Sequence, residues 1–267
     1  MELVKVEKGS KEAVLDAKNV HYKVLNFMIE DAINSGAEKI IIKNVNGHRY
    51  IADGVAKKVE IIIHGTPGDD LGAFMNGPKI TVFGNAQDGI GNTMNDGEII
   101  VHGDARDIVG HSMRGGKILV KGDLGYRVGI HMKQYREKQP VIVAGGSAGD
   151  FLGEYMAGGL LVLLGIDKKE SEIAGDFIAT GIHGGEIFIR GRIDESRLGI
   201  GAKIDVINEQ DKEKLASILR EFSSTFGYNE KEILSILPQL TKIVPKSHRP
   251  YGKLYTDELD KAKVGEG

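Results

Sequence analysis

The sequence predicts a mainly β protein, a right-handed parallel β-helix of about seven turns with an N-terminal α/β cap and C-terminal helices. Three observations carry this. Glycine is 37 of 267 residues, about twice the usual ~7%, while proline numbers only 6, so the glycines are not those of a low-complexity linker. The segments Lys79–Gly97, Glu98–Gly116 and Lys117 onward repeat one pattern with a period of 19 residues. Finally, 19 residues is too short for a strand plus a crossover helix, which needs about 30, but suits one coil of a β-solenoid whose stacked turns bury what one turn cannot.

Each coil begins with an apolar triplet closed by glycine, at Gly65, Gly84, Gly103, Gly122, Gly145, Gly165 and Gly191. Strand alternation puts Ile61/Ile63, Ile80/Val82, Ile99/Val101, Ile118/Val120, Val141/Val143, Leu161/Leu163 and Ile187/Ile189 on the interior face. A second glycine follows at Gly72, Gly91, Gly110, Gly129 and Gly153, preceded by Leu71, Ile90, Val109, Val128 or Leu152 and followed three residues later by Met75, Met94, Met113, Met132 or Met156. These give two further interior columns. The stretch Lys133–Gln139 breaks the period and is expected to be a surface loop.

Solenoid ends need covers. Leu25, Met28, Ile29 and Ala32 share one helical face before Gly36, and the strand-like Lys39–Asn44 and a turn-rich stretch to Gly54 complete an N-terminal cap over residues 1–54. Residues 55–203 form the β-helix. In residues 204–267, Leu215, Ile218, Leu219 and Phe222 share a helical face before Gly227, and a shorter helix with Ile233, Ile236 and Leu237 stops at Pro238. The rest reads as irregular, with a disordered tail.

Composition excludes several functions. A net charge of -3 without basic runs argues against nucleic acid. No apolar run nears the roughly 20 residues of a membrane span and no signal-peptide core is present, so a cytoplasmic location is expected. The chain has no cysteine, which excludes disulfides, thiolate nucleophiles, cysteine-held iron–sulfur clusters and cysteine-based zinc sites.

The remaining polar patterns read as structural. Asp69, Asp88, Asp107 and Asp150 precede the second glycines by three residues and are expected to close turns through local backbone N–H groups rather than to ladder calcium. His64 and His102 fall two turns apart, roughly 10 Å, too far to share a metal. His111 and His131 are offset by one position, which in a strand would put them on opposite faces. The fragments Gly89–Met94 and Gly110–Lys117 only superficially approach a dinucleotide fingerprint and a phosphate loop, and the methionines fill core. No catalytic, cofactor-binding or metal-ligating residue is assigned.

The pattern G-x-A-x-D-x-x-G-x-x-M-x-G-G in Gly145–Gly159, looser in Gly84–Gly97 and Gly103–Gly116, together with Asn44-Val45-Asn46-Gly47-His48-Arg49, resembles the GXGXG domain at the C-terminal end of the glutamate synthase large subunit. The resemblance covers about residues 20–203. Arg249-Pro250-Tyr251 looks like the stand-alone prokaryotic form. It implies a scaffold that orients a glutamine amidotransferase subunit and an FMN/iron–sulfur synthase subunit, with no catalytic residue and no cofactor in this chain, FMN and the clusters being held by the partners. A homo-oligomer is compatible with this reading. The repeat also resembles the β-helical C subunit of formylmethanofuran dehydrogenase. A solitary carbohydrate-active β-helix enzyme is a third reading, weakened because the aspartates are spaced as turn formers rather than flanking a groove.

Overall fold

The computed structural model describes residues 11–247; Arg249-Pro250-Tyr251 and the tail lie outside them. The elements in order are β1 (Glu12–Asp16), α1 (Tyr22–Asn34), β2 (Lys39–Asn46), β3 (Glu60–Thr66), β4 (Asn76–Phe83), β5 (Asp96–Val101), β6 (Lys117–Val120), β7 (Val141–Ala144), β8 (Ala157–Leu163), β9 (Gly184–Arg190), β10 (Ala202–Asp205), α2 (Glu209–Phe226), α3 (Glu230–Leu234) and β11 (Leu240–Pro245). All eleven strands join one sheet in the order β1 to β9, then β11, then β10. The chain is a parallel β-helix, since β1 through β9 pair in parallel, each with the next. The seven glycine-closed triplets are the strands β3 to β9, and seven strands enclose about six full turns rather than seven. No helix among the described residues is long and apolar enough to cross a membrane.

The interior columns are those of the repeat. Ile61, Ile80, Ile99, Ile118, Leu71, Ile90, Val109, Val128 and the five methionines of the corner are fully buried. One rung departs from expectation. Ile118 pairs with Ile142 and Val120 with Ala144, so Ile142 and Ala144, not Val141 and Val143, face inward. In the all-apolar run Val141-Ile142-Val143-Ala144 alternation cannot choose a face, and the double glycine after it conceals a slip that moves every side chain across the sheet.

At the second corner the chain is not a strand. Ile108, Gly110 and Ser112 have φ of +51°, +70° and +53°, so left-handed residues alternate with ordinary ones across five positions. Consecutive turns share this shape: the glycine slot is filled by Ala52 (φ +61°) in the first coil and by Ala179 (φ +59°) in the last. A non-glycine residue there is strained by about 1 kcal/mol or more. Hydrogen bonds to both neighbouring turns hold it: Ile108 N–H donates to Tyr126, Gly110 N–H to Ile90 and Ser112 N–H to Ile130.

An N-terminal α/β cap is present, but the coil begins before the expected boundary at residue 54: β1 is an unforeseen first strand of the sheet, β2 pairs in parallel with β3, and Tyr50, Ala52 and Gly54 already form a corner. α1 crosses from β1 to β2 and lays Leu25, Ile29, Ala32 and Ile33 on the end of the interior column. The C-terminal reading needs correction. The end of the sheet is closed by two antiparallel strands, β11 on β9 and β10 on β11; β11 lies in a stretch read as irregular, and β10 at the expected end of the β-helix. Pro238 does not stop α3, which ends at Leu234; it sits in a separate 3-10 turn, Leu237–Gln239.

α2 does not cap the end either. It runs along the outside of the sheet, from β11, where Asp211 meets Lys242, past Glu186 of β9 and Lys117 of β6, to the residue after β5, where Phe226 meets His102. An 18-residue helix is about 27 Å long, enough to lie across about six strands at ~4.8 Å. Its Leu215, Leu219, Phe222 and Phe226 bury the outward residues Ile100, Leu119, Val143, Val162 and Phe188 in a second core. Leu219→Ala should therefore cost about 2–5 kcal/mol, read as a lower urea midpoint at unchanged slope.

Candidate functional site

The outer side of the second corner gathers the polar side chains that the sequence scattered. Asn92 Nδ2 donates to Asp70 Oδ1 at 3.0 Å, and Asn92 Oδ1 takes Thr93 Oγ1 at 3.0 Å and lies 3.2 Å from His111 Nδ1. Because Asp70 fixes which end of the amide is the donor, the Asn92 oxygen faces His111 and selects the Nδ1–H tautomer. The rings of His111 and His131 are 6.1 Å apart, and His131 stacks on Tyr155 at 5.3 Å. The expectation that the two histidines face opposite ways is wrong, because strand alternation does not hold where left-handed residues alternate. Burial, then the neighbouring His131, push the His111 imidazole below its ordinary value, so it is neutral near pH 7. Beside this row Arg127 donates to Glu154 at 2.7 Å and lies over the Phe151 ring at 4.5 Å.

The aspartates do not close their own turns as expected, and Asp69 faces Arg49 at 3.4 Å. Asp88 Oδ1 accepts from Asp107 N–H, Asp107 Oδ1 from Tyr126 N–H, and Asp150 Oδ1 from Asp176 N–H. The acceptor therefore reaches the next turn, 19 residues on for Asp88 and Asp107 and 26 for Asp150, rather than its own. Asn85, Asp104 and Asp123 form a parallel row in the same way. Among the described residues no group of three or more His, Cys, Asp or Glu could hold a metal ion.

His64 and His102 flank Phe83 in an outward stack, with ring separations of 5.3 and 4.6 Å. The glycines of Gly89–Met94 and Gly110–Lys117 are corner and strand-entry residues of the coil. The Lys133–Gln139 insertion is a tight loop with a Tyr135–Lys138 bridge, folded back so that Lys138 reaches Asp96 at 2.9 Å. A cleft of about 550 Å³ lies between α1 and the first corner, floored by Ile29, Ile33 and Ala52 and rimmed by Lys23, Asp53 and Lys57. Burial and then Asp70 raise the Asp53 carboxyl above its ordinary value.

The corner geometry is a stack of near-identical turns, and the repeat that builds it is matched across residues 26–246 by the GXGXG motif family. The chain belongs to the GXGXG family. The GXGXG match continues past residue 203 through α2 and into β11, so the helix on the outer face lies within the matched region. The chain is also 53% identical over 259 residues to Uncharacterized protein MJ1350 of Methanocaldococcus jannaschii, covering 94% of this chain and 99% of that protein.

Proposed function

We propose that this GXGXG chain is a structural subunit of a multi-subunit glutamate synthase, converting nothing itself and orienting a glutamine amidotransferase subunit against an FMN/iron–sulfur synthase subunit. The observation that carries the reading is a GXGXG match over residues 26–246 in a chain without a single cysteine. Such a chain brings the solenoid but no thiol for amide transfer or cluster ligation, so those groups belong to other polypeptides. A stack from β2 to β9 is a rod on the order of 34 Å long at ~4.8 Å per strand, a fixed spacing for whatever docks along it. Exposed aromatic side chains, Phe74, Tyr155 and Phe177 on the corner and Phe27 on α1, supply anchors of the kind that dominate interfaces. FMN and iron–sulfur clusters are assigned to the partners, and the assembly is placed in the cytoplasm.

The test is co-purification with the tagged full chain at low ionic strength. Recovery of an amidotransferase together with a flavin-containing, iron–sulfur subunit, the flavin identified by its absorbance, is the expected result. A molybdenum or tungsten enzyme in their place would transfer the chain to the formylmethanofuran dehydrogenase reading. Recovery of the chain alone would remove the scaffold role.

A further inference from the structure

Pairing register continues the outward column beyond the part that α2 covers. Val14 of β1, Ile41 of β2, Ile62 of β3 and Thr81 of β4 stand in line with Ile100 of β5, the first residue of the second core. α2 ends above β5, and Gly227, with φ +72°, turns the chain away. Over β1 to β4 the column is uncovered among the described residues: Val14 is 39% and the neighbouring Phe83 47% exposed, with Ile41, Ile62 and Thr81 half-buried.

Dimensions select the occupant. Four strands at ~4.8 Å make a strip roughly 19 Å long and one side chain wide, the footprint of a helix about 10 Å across and 10–12 residues long. The strip offers roughly 200 Å², well short of the ~800 Å² per partner of a stable dimer, so it is not by itself a self-association face. The rims add polarity. On one side Lys39 lies 3.8 Å from Glu12 and 4.0 Å from Glu60, and Lys79 pairs with Glu98 at 2.8 Å, leaving little net charge. On the other stand Asp16 and Lys43, opposite each other in register, then His64 and Phe83, in the row that continues to His102, so this rim too carries little net charge. α2 already shows the favoured arrangement: Leu and Phe on the column, and Glu221 reaching over the rim to Lys117.

We propose that the outer face of β1 to β4 seats one amphipathic helix of a partner polypeptide, apolar at i, i+3, i+4 and i+7, laid end to end with α2. The helix mode of recognition is general; what is specific is that the same column seats a helix of this chain one strand further on. The proposal rests on the scaffold reading only for which subunit carries the helix.

Because the chain contains no cysteine, His64→Cys gives a single attachment point for an environment-sensitive dye on the full-length protein. The probe is a synthetic peptide of residues 209–226, acetylated and amidated, whose sequence packs on the neighbouring strands. Saturable emission change is expected, with a dissociation constant of roughly 10–100 µM. Binding should weaken at least tenfold when Ile62→Asp is added, with Thr81→Lys as a second variant if that one unfolds, and should be unaffected by Ile200→Asp at the far end. No saturation below about 1 mM, or equal binding with Ile62→Asp or Thr81→Lys, overturns the proposal. So does a concentration-dependent dimer in sedimentation that Ile62→Asp dissolves, which would make a second copy the occupant. Neither result depends on which subunits co-purify, so the seat and the scaffold role fail separately.

Discussion

Gly65→Ala is expected to lower stability by more than about 4 kcal/mol or to leave the chain unfolded. At φ +123° a Cβ on residue 65 would collide with the carbonyl oxygen of Val45 and lie 3.0 Å from its carbonyl carbon. Both obstacles are backbone, and Val45 is itself paired with Gly65 in the β2–β3 ladder, so relief requires the two strands to separate. Gly227→Ala is the control. Its φ of +72° is also left-handed, but nothing lies within 4 Å of the added atom, so only the local strain of about 1–2 kcal/mol should appear. Urea unfolding of the two variants separates close approach from backbone preference; equal losses would show that turn stacking does not limit this position.

Asp211→Ala is expected to cost about 3–5 kcal/mol. Lys242 Nζ lies 2.7 Å from both Asp211 Oδ2 and Glu186 Oε1, with the Lys242 and Asp211 side chains only 8% and 5% exposed. Asp211 also closes the capping box with Asn208, so one carboxylate both starts the helix and pins it to β11. Removing it leaves a buried ammonium half paired. Lys242→Met, which removes the buried charge and keeps an apolar stem, should be tolerated better, and the difference in chemical denaturation midpoints decides this.

The same pair sets a pH window. Burial acts to raise the Asp211 carboxyl, but the Lys242 hydrogen bond, the Asn208 N–H and the nearby lysine charges outweigh it and hold the group below its ordinary 3.8. A depressed acid contributes stability above its unfolded value and loses it as pH falls through the folded one. Burial acts to lower Lys242, yet Asp211 and Glu186 raise it above 10.5; that contribution is present below the unfolded value and lost as pH rises through the folded one. Unfolding midpoints measured across pH should therefore drop at both extremes, and Asp211→Ala should flatten the acid limb.

The interior was legible because a repeat averages its own ambiguity: Leu71, Ile90, Val109 and Val128 recur beside a glycine and before a methionine, and only stacked turns explain such columns. The coil at Val141–Ala144 was misread where that averaging failed, since an uninterrupted apolar run has no period of two. His111 and His131 were placed on opposite faces by a rule for extended chain, and the corner there is not extended, with Ser112 at φ +53° and His131 at φ +55°. The Asp70–Asn92–His111 contacts join residues 22 and then 19 apart, a separation that means adjacency only once the turns are stacked.

What the sequence determined by itself was the period, the inward columns, the absence of cysteine chemistry and the existence of two terminal helical segments, because these depend on composition and on spacing within one turn. The tertiary structure decided where the helices go and how the stack ends. The apolar face of α2, with Leu215, Leu219 and Phe222, demands a surface but does not say which; it packs on the outward column of β5 to β9, while β11 and β10 pair onto the end of the sheet. Burial is non-directional, so a helical pattern fixes what must be covered, and only the assembled sheet fixes what covers it.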